Sequence, residues 1–128
     1  MATANALKVT TSMTLANGNL EGFTIPSRTQ SITQTTAAPF RVGGTQSIGY
    51  AAHETLDITG VTTLGWCNFR NRDAANYVEI GVDVAATFYP LVRLNAGEEC
   101  VFRLAQGITP YAQANTAAVI LERTIIDD

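Results

Sequence analysis

A spacing of two constrains this chain more than any other feature. Leu7, Val9, Thr11, Met13 and Leu15 fall on alternate positions, the repeat of one face of a β-strand. Short apolar runs of strand length recur at Gly65 to Asn71, Tyr77 to Ile80, Phe88 to Leu94, Glu99 to Leu104, Tyr111 to Ala114 and Val119 to Ile126. Gly43-Gly44 opens a further strand through Thr45, Ser47 and Ile48 to Ala51. Leu56 and Ile58 mark a short one closed by Gly60. Turn formers stand between the runs: Asn17-Gly18-Asn19, the stretch Asp73 to Asn76, Asn95-Ala96-Gly97, and Gly107. No amphipathic helical pattern of useful length interrupts them. The sequence therefore predicts an all-β chain, an antiparallel β-sandwich, jelly-roll-like, with about eight to ten short strands.

The alternation also assigns faces. Cys67 and Phe69 share one side of their strand, with Trp66, Asn68 and Arg70 on the other. Cys100, Phe102 and Leu104 share a side opposite Arg103. These apolar sides, with Val78 and Ile80, are expected to form the core, leaving Tyr77 and Glu79 outside. The spacing of 65–71 and 77–80 predicts a hairpin, which sets Trp66 and Tyr77 on neighbouring strands.

At 128 residues the chain has the length of one domain, and a single β domain over residues 1–128 is expected. Within it, Thr24 to Pro39 is polar, rich in Thr, Gln and Ser, and bounded by Pro26 and Pro39. Recurrent β-branched Thr disfavours a helix there, so an extended edge segment or arm near 24–39 is predicted.

Charged residues make up only 15% of the chain, against about 25% in ordinary globular proteins. Two readings stay open: a surface partly covered by neighbouring subunits, or one rich in Thr, Ser, Gln and Asn. The net charge is -3, with one lysine, Lys8, and arginines dispersed along the chain. No basic stripe exists, so nucleic acid is not an expected partner. The first residues lack a basic, then apolar, leader pattern. The aliphatic run Ala117 to Leu121 is too short to span a bilayer. A soluble protein made in a reducing cytoplasm, without membrane contact, is expected.

Catalytic patterns fail at specific places. His53 is the sole histidine. His53-Glu54-Thr55-Leu56-Asp57 begins like a zinc-binding helix, but Asp57 stands where the second histidine belongs. A metal-binding jelly roll needs several histidines. No Gly-x-Ser-x-Gly elbow occurs, and Gly49 is followed by Tyr50-Ala51 where a phosphate loop needs Lys-Ser/Thr. Glu98-Glu99 alternate faces and cannot act together on one bond. No catalytic residue, metal ligand or cofactor is therefore expected, and His53 reads as a polar turn residue. Cys67 and Cys100 read as buried small hydrophobes; a disulfide would require their strands to be neighbours, and a cytosolic origin argues against one. Trp66, Tyr77, Tyr89 and Tyr111 offer a sugar-stacking platform as an alternative to packing or subunit contact.

Three stretches carry a family likeness: Gly65-Trp-Cys-Asn-Phe-Arg-Asn-Arg-Asp-Ala-Ala-Asn-Tyr-Val-Glu-Ile-Gly81, Phe88-Tyr-Pro-Leu-Val-Arg-Leu-Asn-Ala-Gly-Glu-Glu99, and Tyr111-Ala-Gln-Ala-Asn-Thr116 with the closing strand. Their order of strand, Asn-x-Asp turn, Asn-Tyr-Val strand and Gly resembles small structural proteins of tailed bacteriophages, over roughly Gly44 to Ile126. The likeness is one of pattern. It implies a non-enzymatic virion β-sandwich: a capsid decoration (cement) protein on the outer head surface, or else a tail or baseplate subunit. The implied partners are copies of itself, a homotrimer being favoured, and the major capsid protein or other virion proteins. Ser27, Thr29, Gln30, Ile32 and Gln34 of the extended segment, with Trp66 and Tyr77, are the expected assembly contacts. A carbohydrate-binding module is the alternative from another class.

Overall fold

A computed structural model describes residues 6–33 and 41–128. The chain divides into two compact units, 1–38 and 39–128. All ten strands are antiparallel in their pairings, and no helix occurs among the described residues. The first unit is a two-stranded hairpin, β1 (Ala6–Asn17) and β2 (Leu20–Thr33). Gly18, at φ 58°, makes its turn, where an L side chain is disfavoured and glycine is not.

The second unit holds β3 (Arg41–Ile48), β4 (Glu54–Thr55), β5 (Leu64–Asn71), β6 (Val78–Val84), β7 (Thr87–Leu94), β8 (Glu99–Arg103), β9 (Tyr111–Ala114) and β10 (Val119–Asp127). They form two four-stranded sheets, ordered β3-β10-β5-β8 and β4-β9-β6-β7. The expected all-β sandwich is thus present. Its core is the set of inward alternate positions: Ile48, Cys67, Phe69, Leu121 and Ile125 from one sheet, and Val78, Ile80, Ala112 and Ala114 from the other. The Phe69 and Phe102 rings meet at 5.8 Å, tilted by 42°.

The predicted hairpin of 65–71 with 77–80 does not form. β5 pairs with β10 and β8, and β6 pairs with β7 and β9. The cause lies in the connection. Asp73 caps its own turn, accepting from the amides of Ala75 at 2.9 Å and Asn76 at 2.6 Å. Asn71, fully buried, donates through Nδ2 to the carbonyls of Asn76 (2.8 Å) and of Leu94 in the opposite sheet (3.0 Å), and accepts from the Asp73 amide. The chain is therefore carried across to the second sheet. Likewise Leu56 and Ile58 are not a strand: β4 ends at Thr55, and an Asx turn at Asp57 comes next, with the Thr59 amide donating to Asp57 Oδ1 at 2.9 Å. Leu56 is buried as a loop anchor.

The hairpin that does form joins β6 to β7 through Ala85 and Ala86, at φ 53° and 67°. Both central residues are left-handed, as a type I′ turn requires.

Two outcomes are expected. Asn71→Leu leaves two carbonyls and an amide without partners, at about 1–3 kcal/mol for each such group, so urea unfolding should show a loss of about 3 kcal/mol or more. Replacing Ala85-Ala86 by Asn-Gly relieves a left-handed cost of about 1–2 kcal/mol per residue, and the same titration should show a gain of about 1 kcal/mol or more.

Candidate functional site

The hairpin unit carries the most unusual surface. On β1 the side chains of Leu7, Val9, Met13 and Leu15 keep a strict period of two and share a face. On β2 the apolar residues are irregularly spaced: Leu20, Phe23, Ile25 and Ile32. In a regular strand Phe23 and Ile25 would point opposite to Leu20 and Ile32. Two register shifts correct this. Pairing runs Val9↔Gln30 and Thr11↔Arg28, then Met13↔Ile25 and Leu15↔Phe23, then Asn17↔Leu20. At each shift β2 spends one residue more than β1, which is a bulge, and a bulge reverses the facing of the strand beyond it. Pro26, which has no amide to pair, falls at the first shift. Gly22 falls at the second, where a Cβ would stand 2.1 Å from the Leu15 carbonyl oxygen.

These eight apolar residues therefore share one face of the hairpin. Val9 near its base is buried, whereas Met13, Leu15, Leu20, Phe23 and Ile25 toward the turn are 41–73% exposed. Soluble monomers seldom leave a contiguous patch of this kind uncovered.

The contacts expected from the sequence are dispersed. Gln30 and Ile32 lie on this apolar side, paired with Val9 and Leu7. Thr29 lies on the other side, its hydroxyl 2.8 Å from that of Thr10. Ser27 sits in the first register shift and is exposed. Gln34 lies outside the described residues. Trp66 and Tyr77, expected on neighbouring strands, are not so placed: Trp66 lies in β5 of the first sheet, and Tyr77 in the connection just before β6 of the second. Arg103, across from Trp66 in the β5–β8 register, stands 5.9 Å from the indole centroid. Arg93 stacks 3.9 Å over Tyr77 and pairs with Glu79 at 3.2 Å. The two rings do not make one aromatic platform.

Met13, Leu15, Leu20, Phe23 and Ile25 are absent from the contacts expected on sequence grounds. Their signal lies in the alternation of β1 and in the Asn-Gly-Asn turn, which together demand an antiparallel partner. The bulges hide the matching face of β2.

Two smaller clusters lie in the sandwich. Cys67 and Cys100 occupy neighbouring strands, diagonal in the register Cys67↔Phe102 and Phe69↔Cys100, and both are free thiols. Cys67 donates to the Phe102 carbonyl at 3.2 Å. Burial pushes its thiol up to about 12, with the nearby Cys100 adding to the effect, and burial raises Cys100 as well. His53, in the loop before β4, bonds through Nε2 to Asp83 Oδ2. Its ring stacks on Phe88 and meets Tyr111 at a tilt, each at 5.4 Å.

No protein family, no curated protein and no solved structure matches this chain.

The buried thiol sets a pH dependence. The folded state keeps the Cys67 proton from the ordinary value of 9.0 up to about 12, so it binds more protons than the unfolded chain in that window. Stability from this group is full below 9.0 and declines as pH rises toward 12. Thermal melts across this range should fall less steeply for Cys67→Ala than for the parent.

Proposed function

We propose that this chain is a non-enzymatic structural subunit of a bacteriophage virion, a head decoration protein that acts as a homotrimer or similar oligomer. The observation that carries this reading is the bulge-aligned apolar face of the β1–β2 hairpin, exposed from Met13 to Ile25. A hairpin alone is marginal in water and gains stability when its apolar face is covered. We infer that neighbouring subunits and the shell cover it. Repetition of such a contact around a symmetry axis, and again over the shell lattice, multiplies a modest single interaction into firm attachment.

Other features support the same reading. We read the sandwich as a jelly roll of two Greek keys, because its chain passes repeatedly between the sheets and its last strand, β10, inserts between β3 and β5. Viral capsid domains are among the uses of that architecture. The net charge of -3 and the scarcity of lysine suit the outside of a shell better than its nucleic-acid interior.

The test is addition of the purified protein to expanded empty heads, with copy number measured per particle and the mass of the free oligomer measured alongside. A fixed stoichiometry supports the proposal. Binding to tails alone moves the protein to a tail or baseplate role, and binding to neither overturns the virion reading. In the same assay Met13→Ser with Leu20→Ser and Phe23→Ser should reduce attachment at least tenfold. Being exposed, these positions should alter the melting of the sandwich by no more than about 0.5 kcal/mol.

A further inference from the structure

A second surface lies where β6 and β9 part. Their pairing runs from Val78↔Ala114 to Gly81↔Tyr111. Beyond it β6 continues as Val82, Asp83 and Val84 beside β7 alone. The chain leading into β9 turns at Gly107, φ 80°. Two hollows open in the resulting gap. The inner one, of about 280 Å³, is walled by Ile80, Val82, Val92, Phe102, Leu104 and Ile108. The outer one, of about 430 Å³, adds Asp83, Val84, Thr109 and Tyr111. Val82 and Ile108 line both, so the hollows adjoin. Their sizes bracket the lower end of ordinary small-molecule sites, which combine apolar walls with a few placed polar groups.

The polar group here is Asp83, and it is held in place from behind. Its Oδ1 accepts the Ala86 amide at 3.2 Å, and its Oδ2 is bonded to His53 Nε2. His53 is in turn fixed between Phe88 and Tyr111. An ionised carboxylate has about four acceptor sites, so two of these bonds leave capacity for a ligand. An acceptor fixed before binding needs no ordering when the ligand arrives.

We propose that the adjoining hollows form one binding site for a small amphipathic amine, with its linear aliphatic chain in the inner hollow and its ammonium head on Asp83. Arg103 also borders the inner hollow, and its guanidinium is paired with the Asp128 carboxylate at 3.0 Å. The Asp83 carboxylate selects a hydrogen-bond-donating cation over an anion of equal length. This assignment stands apart from the virion reading and does not depend on it.

The experiment is an amide-resolved NMR titration of the full chain with hexylamine, heptylamine, octylamine and octanoate. Shifts should centre on Val82, Asp83, Ile108 and Thr109. Affinity should rise about fourfold per added methylene, the factor that burial of one such group supplies, and octanoate should bind at least tenfold more weakly than octylamine. Asp83→Asn should erase that preference between amine and acid. Ala105→Phe, at an exposed position on the rim of the inner hollow, should flatten the chain-length dependence while leaving the fold intact. Affinity independent of chain length, octanoate binding as tightly as octylamine, or shifts confined to the apolar face of the β1–β2 hairpin would each overturn the assignment.

Discussion

The sandwich depends on the central placement of β10. This strand pairs with β3 along one edge, from Val119↔Ile48 to Ile126↔Arg41, and with β5 along the other, from Leu121↔Asn71 to Asp127↔Leu64. Its inward residues Val119, Leu121 and Ile125 are buried against the second sheet. Every partner of β10 is remote in sequence, so the first sheet cannot close from local contacts. A topology of this kind folds more slowly than one built from adjacent hairpins, because loop closure precedes the reward of pairing.

Arg123 sits in the middle of the same strand at 6% exposure, where a further aliphatic residue would continue the pattern. Its guanidinium bonds Gln46 Oε1 on β3 at 3.2 Å and Asp57 Oδ2 beyond β4 at 3.3 Å. Gln46 also holds the Asp57 amide and the Thr55 carbonyl, each at 3.0 Å. Bonds from Thr59 hold the Asp57 carboxyl below its usual range, and Arg123 lowers it further. A charge buried this deeply gives little net stability, but it penalises any register that leaves it unpaired. The network thus fixes how β3, β10 and the chain after β4 meet, which apolar contacts alone would tolerate in several alignments.

Much of this is legible in the sequence. The period of two locates β1, β5, β7, β9 and β10 closely, and it puts Cys67, Phe69, Val78 and Ile80 inside. What alternation cannot carry is partnership. The segments at 65–71 and 77–80 look like a hairpin because both are apolar and close together, and only the polar connection decides otherwise. Asn71 reads as the polar end of a strand, yet its amide fastens the two sheets together. Ala85-Ala86 carries none of the Gly or Asn that marks a left-handed turn, so the true hairpin there leaves no local trace. His53 lies in a loop as its sequence context implies, but its bond to Asp83 joins positions thirty residues apart and has no sequence signature.

The sheet edges bear on how such a protein could associate. An exposed edge invites another chain to pair with its backbone. β7, an edge strand, carries Pro90 in its interior, opposite Gly81 at a register shift. The proline removes an amide, and the bulge twists the ladder. The approach there is so close that a Cβ on Gly81 would stand 2.0 Å from the Tyr89 carbonyl oxygen. β4 has only two residues and β8 five. Three of the sandwich's edges are thus short or interrupted, and they offer little for strand addition. The hairpin instead presents side chains, aligned on one face by two bulges that a solitary arm has no need of. Association through that face would draw on apolar burial, which salt does not screen as it screens surface ion pairs. Its specificity would lie in the shape set by the bulges at Pro26 and Gly22.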